Sequence, residues 1–140
     1  MIKITNERSV SINDVLHLYQ AVGWTNYTNQ PQMLEQALSH SLTTYLARDG
    51  EEIVGLMRLV GDGFSSVFVQ DLIVLPSYQR QGIGSNLMKE ALADYKDAYQ
   101  IQLATEQTEK NLGFYRSLGF ETLSTYDCTG MIWVDRKNLQ

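Results

Sequence analysis

The chain has 140 residues, 44% of them apolar, and a net charge of −5, which is enough material for one folded domain with a core. The acidic balance argues against a general nucleic-acid surface, which would be basic, and it fits either a cationic partner such as an amine or solubility alone. Cys128 is the only cysteine, so no intrachain disulfide is possible, and no CxxC pair or His cluster points to a metal site. The N-terminus resembles no signal peptide and no run approaches the length of a membrane span. A cytoplasmic protein is expected, with no membrane or nucleic-acid partner.

Residues 1–5 alternate as an edge strand would. Asn13 or Asp14 is placed to cap a helix running to Val22, with Val15, Leu16, Leu18 and Tyr19 on its apolar face and Gly23 after it. Residues 24–29 (WTNYTN) show no period and read as a loop. A second helix is expected over residues 31–41, with Pro31 near its start and Met33, Leu34, Ala37 and Leu38 inward. Residues 43–48 and 52–60 read as strands joined at Asp49-Gly50, a hairpin turn signal. After the Gly61-Asp62-Gly63 turn, residues 67–75 read as a central strand whose end, Leu72 to Leu75, is continuously apolar. Pro76 ends its ladder.

A helix follows over residues 82–97, with Ile83, Leu87, Ala91 and Tyr95 recurring every four residues. Residues 99–105 alternate as a strand, and residues 106–118 contain a helix that stops before Gly119. Residues 120–125 and 131–135 read as two final strands, with Met131, Ile132 and Trp133 packing. The order β-α-α-β-β-β-α-β-α-β-β gives a mixed α/β sheet of about seven strands flanked by about four helices, not repeating βα units.

The segment between the central strand and its helix is Gln79-Arg80-Gln81-Gly82-Ile83-Gly84. Unpaired N–H groups and the positive end of the helix dipole make this an anion site, most simply for phosphate. Gly82 and Gly84 have no Cβ, so a ligand can approach the backbone. A Walker loop would need Lys after Gly84, where Ser85 and Asn86 stand. A dinucleotide fingerprint would need a third Gly where Leu87 stands. The pattern that remains is Q/R-x-x-G-x-G/A.

At these residues the chain resembles the GNAT superfamily of N-acetyltransferases. Residues 71–93 are similar to its acetyl-CoA-binding motif, and residues 114–120 (FYRSLGF) to its later Y-x-x-x-G-F segment. Residues 58–120 also resemble the small bacterial and plastid members related to plant serotonin N-acetyltransferase.

The resemblance implies an acetyl-CoA-dependent transferase that acetylates a primary amine by direct attack, without an acyl-enzyme, so Cys128 has no part. It implies that Leu72, Ile73 and Val74 present their backbone to the pantetheine arm, with a nearby amide as oxyanion donor. The amides of Gln79, Arg80, Gln81, Gly82, Ile83 and Gly84, with Ser85, would hold the pyrophosphate. Arg80 is either a phosphate contact or a solvated charge. Tyr115 matches the family tyrosine that protonates the leaving thiolate, its alternative being a buried aromatic. Where many members have an Asn, seven residues before that Tyr, this chain has Thr108. Asn111 is retained as a cofactor-side candidate.

The base is a carboxylate or a water, with Asp71 and Asp62 as candidates, Asp62 also being a natural turn residue. Trp24 and Tyr27, with Tyr126, would wall the acceptor site by cation–π attraction, or else pack or contact a second copy in a homodimer. A peptide acceptor and a non-catalytic acyl-CoA-binding module are the other functions considered.

Overall fold

Among the described residues, five strands and five helices are built where the sequence changes period. The computed structural model describes residues 1–135. The chain divides into two compact units, Met1–Leu103 and Ala104–Gln140.

The first unit holds a five-stranded sheet in the order β1 (Ile2–Glu7), β2 (Thr43–Asp49), β3 (Glu52–Gly61), β4 (Ser66–Val74) and β5 (Gln100–Leu103). Neighbours are antiparallel from β1 to β4, and β5 lies parallel to β4. The parallel pair requires a crossover, which α4 (Ile83–Asp94) supplies. Helices α1 (Ile12–Ala21), α2 (Thr25–Thr28) and α3 (Pro31–Ser39) join β1 to β2.

Local chemistry sets the helix ends. Ser11, not Asn13 or Asp14, caps α1, its side chain accepting from the Asn13 N–H at 3.2 Å. Asn13 and Asp14 fall inside the first turn, where Asp14 complements the dipole. At the other end Gly23 adopts φ +70°, its N–H bonding the Gln20 carbonyl and that of Trp24 bonding Tyr19. This is a Schellman ending, and it returns Trp24 onto Tyr19, ring centroids 6.1 Å apart. Residues 24–29 are therefore not a plain loop. Thr25–Thr28 make one helical turn, too short for any period to show. Helix α3 ends at Ser39, with Leu34 and Leu38 buried while Met33 is exposed.

Two layers cover the sheet. Val15, Leu18, Leu34 and Leu38 of α1 and α3 pack with Leu46, Leu56 and Ile73. On the other face Tyr45 of β2 donates to Asp94 of α4 at 2.7 Å. Gly55 lies on that face and lets α4 approach. A Cβ there would stand 3.3 Å from Ala47 Cβ and from the Ile73 carbonyl, and 3.4 Å from Ile83 Cγ2.

The second unit contains α5 (Glu109–Ser117) and a 3-10 turn at Leu123–Tyr126. The two strands expected over residues 120–125 and 131–135 are not formed, so the sheet has five strands rather than seven. Thr122, Ser124 and Thr125 bond one another locally, and such side-chain bonds compete with a ladder. Among the described residues this unit offers no strand to pair with. Met131, Ile132 and Trp133, expected to pack, are exposed.

Gly55→Val should overpack the seat of α4 and cost about 1–3 kcal/mol, measurable as a lower denaturation midpoint with an unchanged m-value.

Candidate active site

The site begins where β4 leaves β5. Their pairing runs from Ser66↔Gln100 to Val69↔Leu103 and stops, while β4 continues to Val74 beside β3. Within this unit the backbone of Asp71, Leu72, Ile73 and Val74 therefore has no strand on its second side. Such an edge is a template for an extended ligand.

A bulge sits at the same point. Plain alternation would send Val67, Val69, Asp71 and Ile73 to one face. Instead Leu59 pairs with Val69 and Arg58 with Asp71, leaving Gln70 as an extra residue. A bulge reverses the facing of every later residue in its strand. Val67 and Val69 face the α4 layer, whereas Asp71 and Ile73 turn to the α1–α3 layer.

There Asp71 is buried, at 2% exposure, with Arg58 at 4%. Arg58 Nε donates to Asp71 Oδ2 at 2.8 Å. The hydroxyls of Tyr19 and Tyr27 donate to Oδ2 and Oδ1 at 2.8 and 2.9 Å. Arg58 also donates to the Tyr27 hydroxyl at 3.3 Å and to Ser41 Oγ at 3.2 Å. Burial, and then the Asp71 charge, push both phenols above the ordinary tyrosine range. Burial disfavours the Arg58 charge, but Asp71 outweighs it and raises the guanidinium.

This arrangement shows the surroundings of three residues singled out in the sequence. Asp71 meets three buried donors, the Arg58 guanidinium and the Tyr19 and Tyr27 hydroxyls. Tyr27 is buried with its hydroxyl committed, and its cation is Arg58, 6.0 Å from the ring centroid. Trp24 is half-buried against Tyr19 and Tyr27. Both pack.

Asp62, the other carboxylate considered, is a turn residue. It accepts from the Phe64, Ser65 and Ser66 N–H groups at 2.7, 2.8 and 3.1 Å and from Ser65 Oγ at 2.6 Å. The Ser65 hydroxyl, then these amides, hold its carboxyl far below the usual range.

Beyond Val74, a 3-10 turn at Pro76–Tyr78 leads to the glycine loop. The Gln79 side chain donates to the Val74 carbonyl at 3.1 Å and its N–H to the Pro76 carbonyl, so Gln79 fastens the loop. The Tyr78 hydroxyl fastens it again, donating to Asp49 at 2.7 Å. Arg80 and Gly82 take φ +66° and +79°, a left-handed backbone that is uncommon for any residue but glycine. Gly82 is the N-cap of α4 and no side chain caps it. A Cβ at Gly82 would meet nothing within 4 Å. The first-turn N–H groups of Ile83, Gly84 and Ser85 thus face an open approach, which suits an anion. Ile83 itself is anchored by its buried side chain, while Arg80 and Gln81 are exposed.

In the second unit Thr108 caps α5, accepting from the Asn111 N–H at 3.1 Å. The Asn111 side chain donates to Thr105 Oγ1 at 3.1 Å. Burial raises Tyr115, and Thr105 partly offsets it. Phe114 and Phe120 hold the ring by edge contacts at 5.0 and 6.0 Å. Among the described residues no three His, Cys, Asp or Glu side chains converge as a metal would need. No helix of the described residues is long and apolar enough to cross a membrane.

The sequence reading missed Arg58 and Tyr19 as partners of Asp71, and the bulge at Gln70. Arg58 had a signal, as the lone charge within the apolar run IVGLMRLV, where a buried cation must find a carboxylate. The bulge had none.

An open strand edge running into an uncapped, glycine-bearing helix start suits an extended ligand that ends in an anion. Residues 40–122 match the model of the acetyltransferase (GNAT) domain, and the chain belongs to that family. A solved GNAT-family acetyltransferase from Streptococcus pneumoniae is 75% identical, with TM-score 0.90 over 97% of this chain and 99% of that one. A GNAT acetyltransferase from Elizabethkingia anophelis, solved with acetyl-CoA bound, shares the fold at 21% identity and TM-score 0.64, over 86% of this chain and 76% of that one. Rice serotonin N-acetyltransferase 2, chloroplastic, is 33% identical over 95 residues, 65% of this chain and 48% of the relative. The chain spans about half the length of that plant relative.

Arg58→Ala should strand a buried carboxylate and cost about 3–5 kcal/mol, whereas replacing Arg58 and Asp71 together by Met and Leu should cost much less, both read by urea denaturation. A carboxyl lowered by folding stabilises above its unfolded pKa, so Asp62→Asn should lower the melting temperature at pH 7, and the gap from wild type should close as pH falls below 3.8.

Proposed function

We propose that this chain transfers the acetyl group of acetyl-CoA to a primary amine of a small molecule. The observation that carries the reading is the free edge of β4 from Asp71 to Val74, leading into the uncapped α4 at Gly82. The pantetheine arm pairs with the backbone of Leu72–Val74 as an added strand. The amides of Gly82, Ile83, Gly84 and Ser85 receive the pyrophosphate, with Arg80 and Gln81 at the rim.

In the ternary complex the neutral amine attacks the thioester carbon. The N–C bond forms, the C–S bond breaks, and the surplus amine proton leaves to water. The family resemblance gives Tyr115 the part of protonating the departing thiolate. Burial raises this phenol, so it keeps its proton until the thiolate departs. The name of the rice relative supports a small-amine acceptor.

The test is thermal unfolding with acetyl-CoA, CoA, NAD and ATP added separately, then thiol release with serotonin, spermidine and a lysine peptide. Acetyl-CoA and CoA alone should raise the midpoint, and a shift with only NAD or ATP would refute the reading. Tyr115→Phe should lower kcat on the order of a hundredfold with acetyl-CoA affinity within about twofold. Because burial raises this phenol, the wild-type rate should fall only above pH ~10, and the variant should lack that limb.

A further inference from the structure

The ladder between β3 and β4 fixes which backbone groups face the free edge. The Leu75 N–H donates to the Val54 carbonyl at 2.9 Å, just past the pair Gly55↔Val74. In an antiparallel ladder, facing residues alternate between exchanging both bonds and exchanging none. A bond from the residue after Val74 to the residue before Gly55 marks Val74 as a non-exchanging position. Ile73 opposite Leu56 is then an exchanging one, and Leu72 opposite Met57 is not. Leu72 and Val74 therefore direct their N–H and C=O groups away from β3, to the side that β5 no longer covers.

Of those four groups, one is already occupied. The Val74 carbonyl accepts from the Gln79 side-chain Nε2 at 3.1 Å. Gln79 reaches back to it because Pro76–Tyr78 turn the chain, and its own N–H is held by the Pro76 carbonyl. At the other end β5 covers β4 as far as Val69, and the bulge breaks the alternation at Gln70. Between these limits stand the Leu72 N–H, the Leu72 carbonyl and the Val74 N–H.

Resting on the proposed acetyl transfer, we propose that Gln79 is a positioning residue that sets the register of the coenzyme arm on β4. A strand edge repeats every two residues, so an extended ligand has a second seat about 7 Å along it. An arm amide that donates to the Leu72 carbonyl would, once slipped, donate to the Val74 carbonyl. The Gln79 carboxamide fills that acceptor, so only the seat at Leu72 is complete. A slip would carry the thioester the same distance away from the amine. Gln79 thus acts on the reacting carbon through the pairing and not by touching it.

The test is steady-state thiol release by wild type, Gln79→Met and Gln79→Arg, with acetyl-CoA varied. The amine is whichever of serotonin, spermidine or the lysine peptide wild type turns over fastest. Methionine has similar length and no donor, so it opens the Val74 carbonyl at an exposed position. Slipped coenzyme is bound but inert, so kcat and the KM for acetyl-CoA should fall together, each about threefold, with kcat/KM little changed. Arginine can still donate to the carbonyl and should recover most of the lost kcat. A residue that only braced the loop would instead raise KM and leave kcat alone in Gln79→Met. That result, unchanged kinetics in Gln79→Met, or a Gln79→Arg that behaves like Gln79→Met would each overturn the inference. A second measurement needs no turnover. The Gln79 side-chain NH₂ should exchange with solvent more slowly than a free glutamine amide, with CoA bound as without it. Release of that group by CoA would mean that the arm has taken the Val74 carbonyl, and the inference would fall. The transfer reading would survive all of these results, since it falls only with the wild-type response to acetyl-CoA.

Discussion

Arg58 and Asp71 lie 2.8 Å apart in the α1–α3 layer of the sheet, where water cannot solvate either. Removing two charges from water costs several kcal/mol per ion, and attraction offsets it only when the remaining polar groups are also satisfied. Two phenols complete the carboxylate, while Tyr27, Ser41 and the Ala37 carbonyl complete the guanidinium. Every one of those partners comes from a different place in the chain. Tyr19 lies in α1, Tyr27 in α2, Ala37 in α3, Arg58 in β3 and Asp71 in β4. The pair thus specifies how three helices seat on two strands more sharply than apolar packing would, because apolar contacts tolerate sliding.

The same anchor connects the fold to the chemistry proposed for it. The strand whose edge is open is also the strand that carries Asp71, so the position of that edge relative to α2 is fixed by directed bonds. The loop after it is tied twice, by Gln79 to the end of β4 and by Tyr78 to the β2–β3 turn. Gly55 then admits the first residue of α4 close against the sheet. The anion-facing turn is held at both ends by groups that need not touch a ligand.

Elements were legible in the sequence where they leave a local trace. The glycine loop and its helix showed through their spacing, since Gly82 must adopt a left-handed backbone and the α4 stripe repeats every four residues. The hairpin at Asp49-Gly50 showed through its turn chemistry. The single turn α2 is shorter than any period that could reveal it. The Ser11 cap was hidden by the equally suitable Asn13 and Asp14 two and three residues on. The last two expected strands had the right alternation, but a strand exists only with a partner, and pattern alone does not supply one. Asp71 and Tyr27 were each singled out for chemistry on residue type, yet what they do depends on Arg58, which reaches them from another strand.

The bulge at Gln70 also constrains the kinds of change this strand can accept. Side chains there can be exchanged one for another, because the backbone phase is unaffected. Length matters unevenly along it. Loss of Gln70 would set Val69 and Asp71 side by side opposite Leu59 and Arg58, a regular ladder in which the carboxylate keeps its present face. Loss of one residue between Asp71 and Ile73 has no extra residue to absorb it, and would turn Ile73 away from the core it shares with Leu56. The strand is therefore tolerant of a deletion at its bulge and intolerant of one a residue or two beyond it.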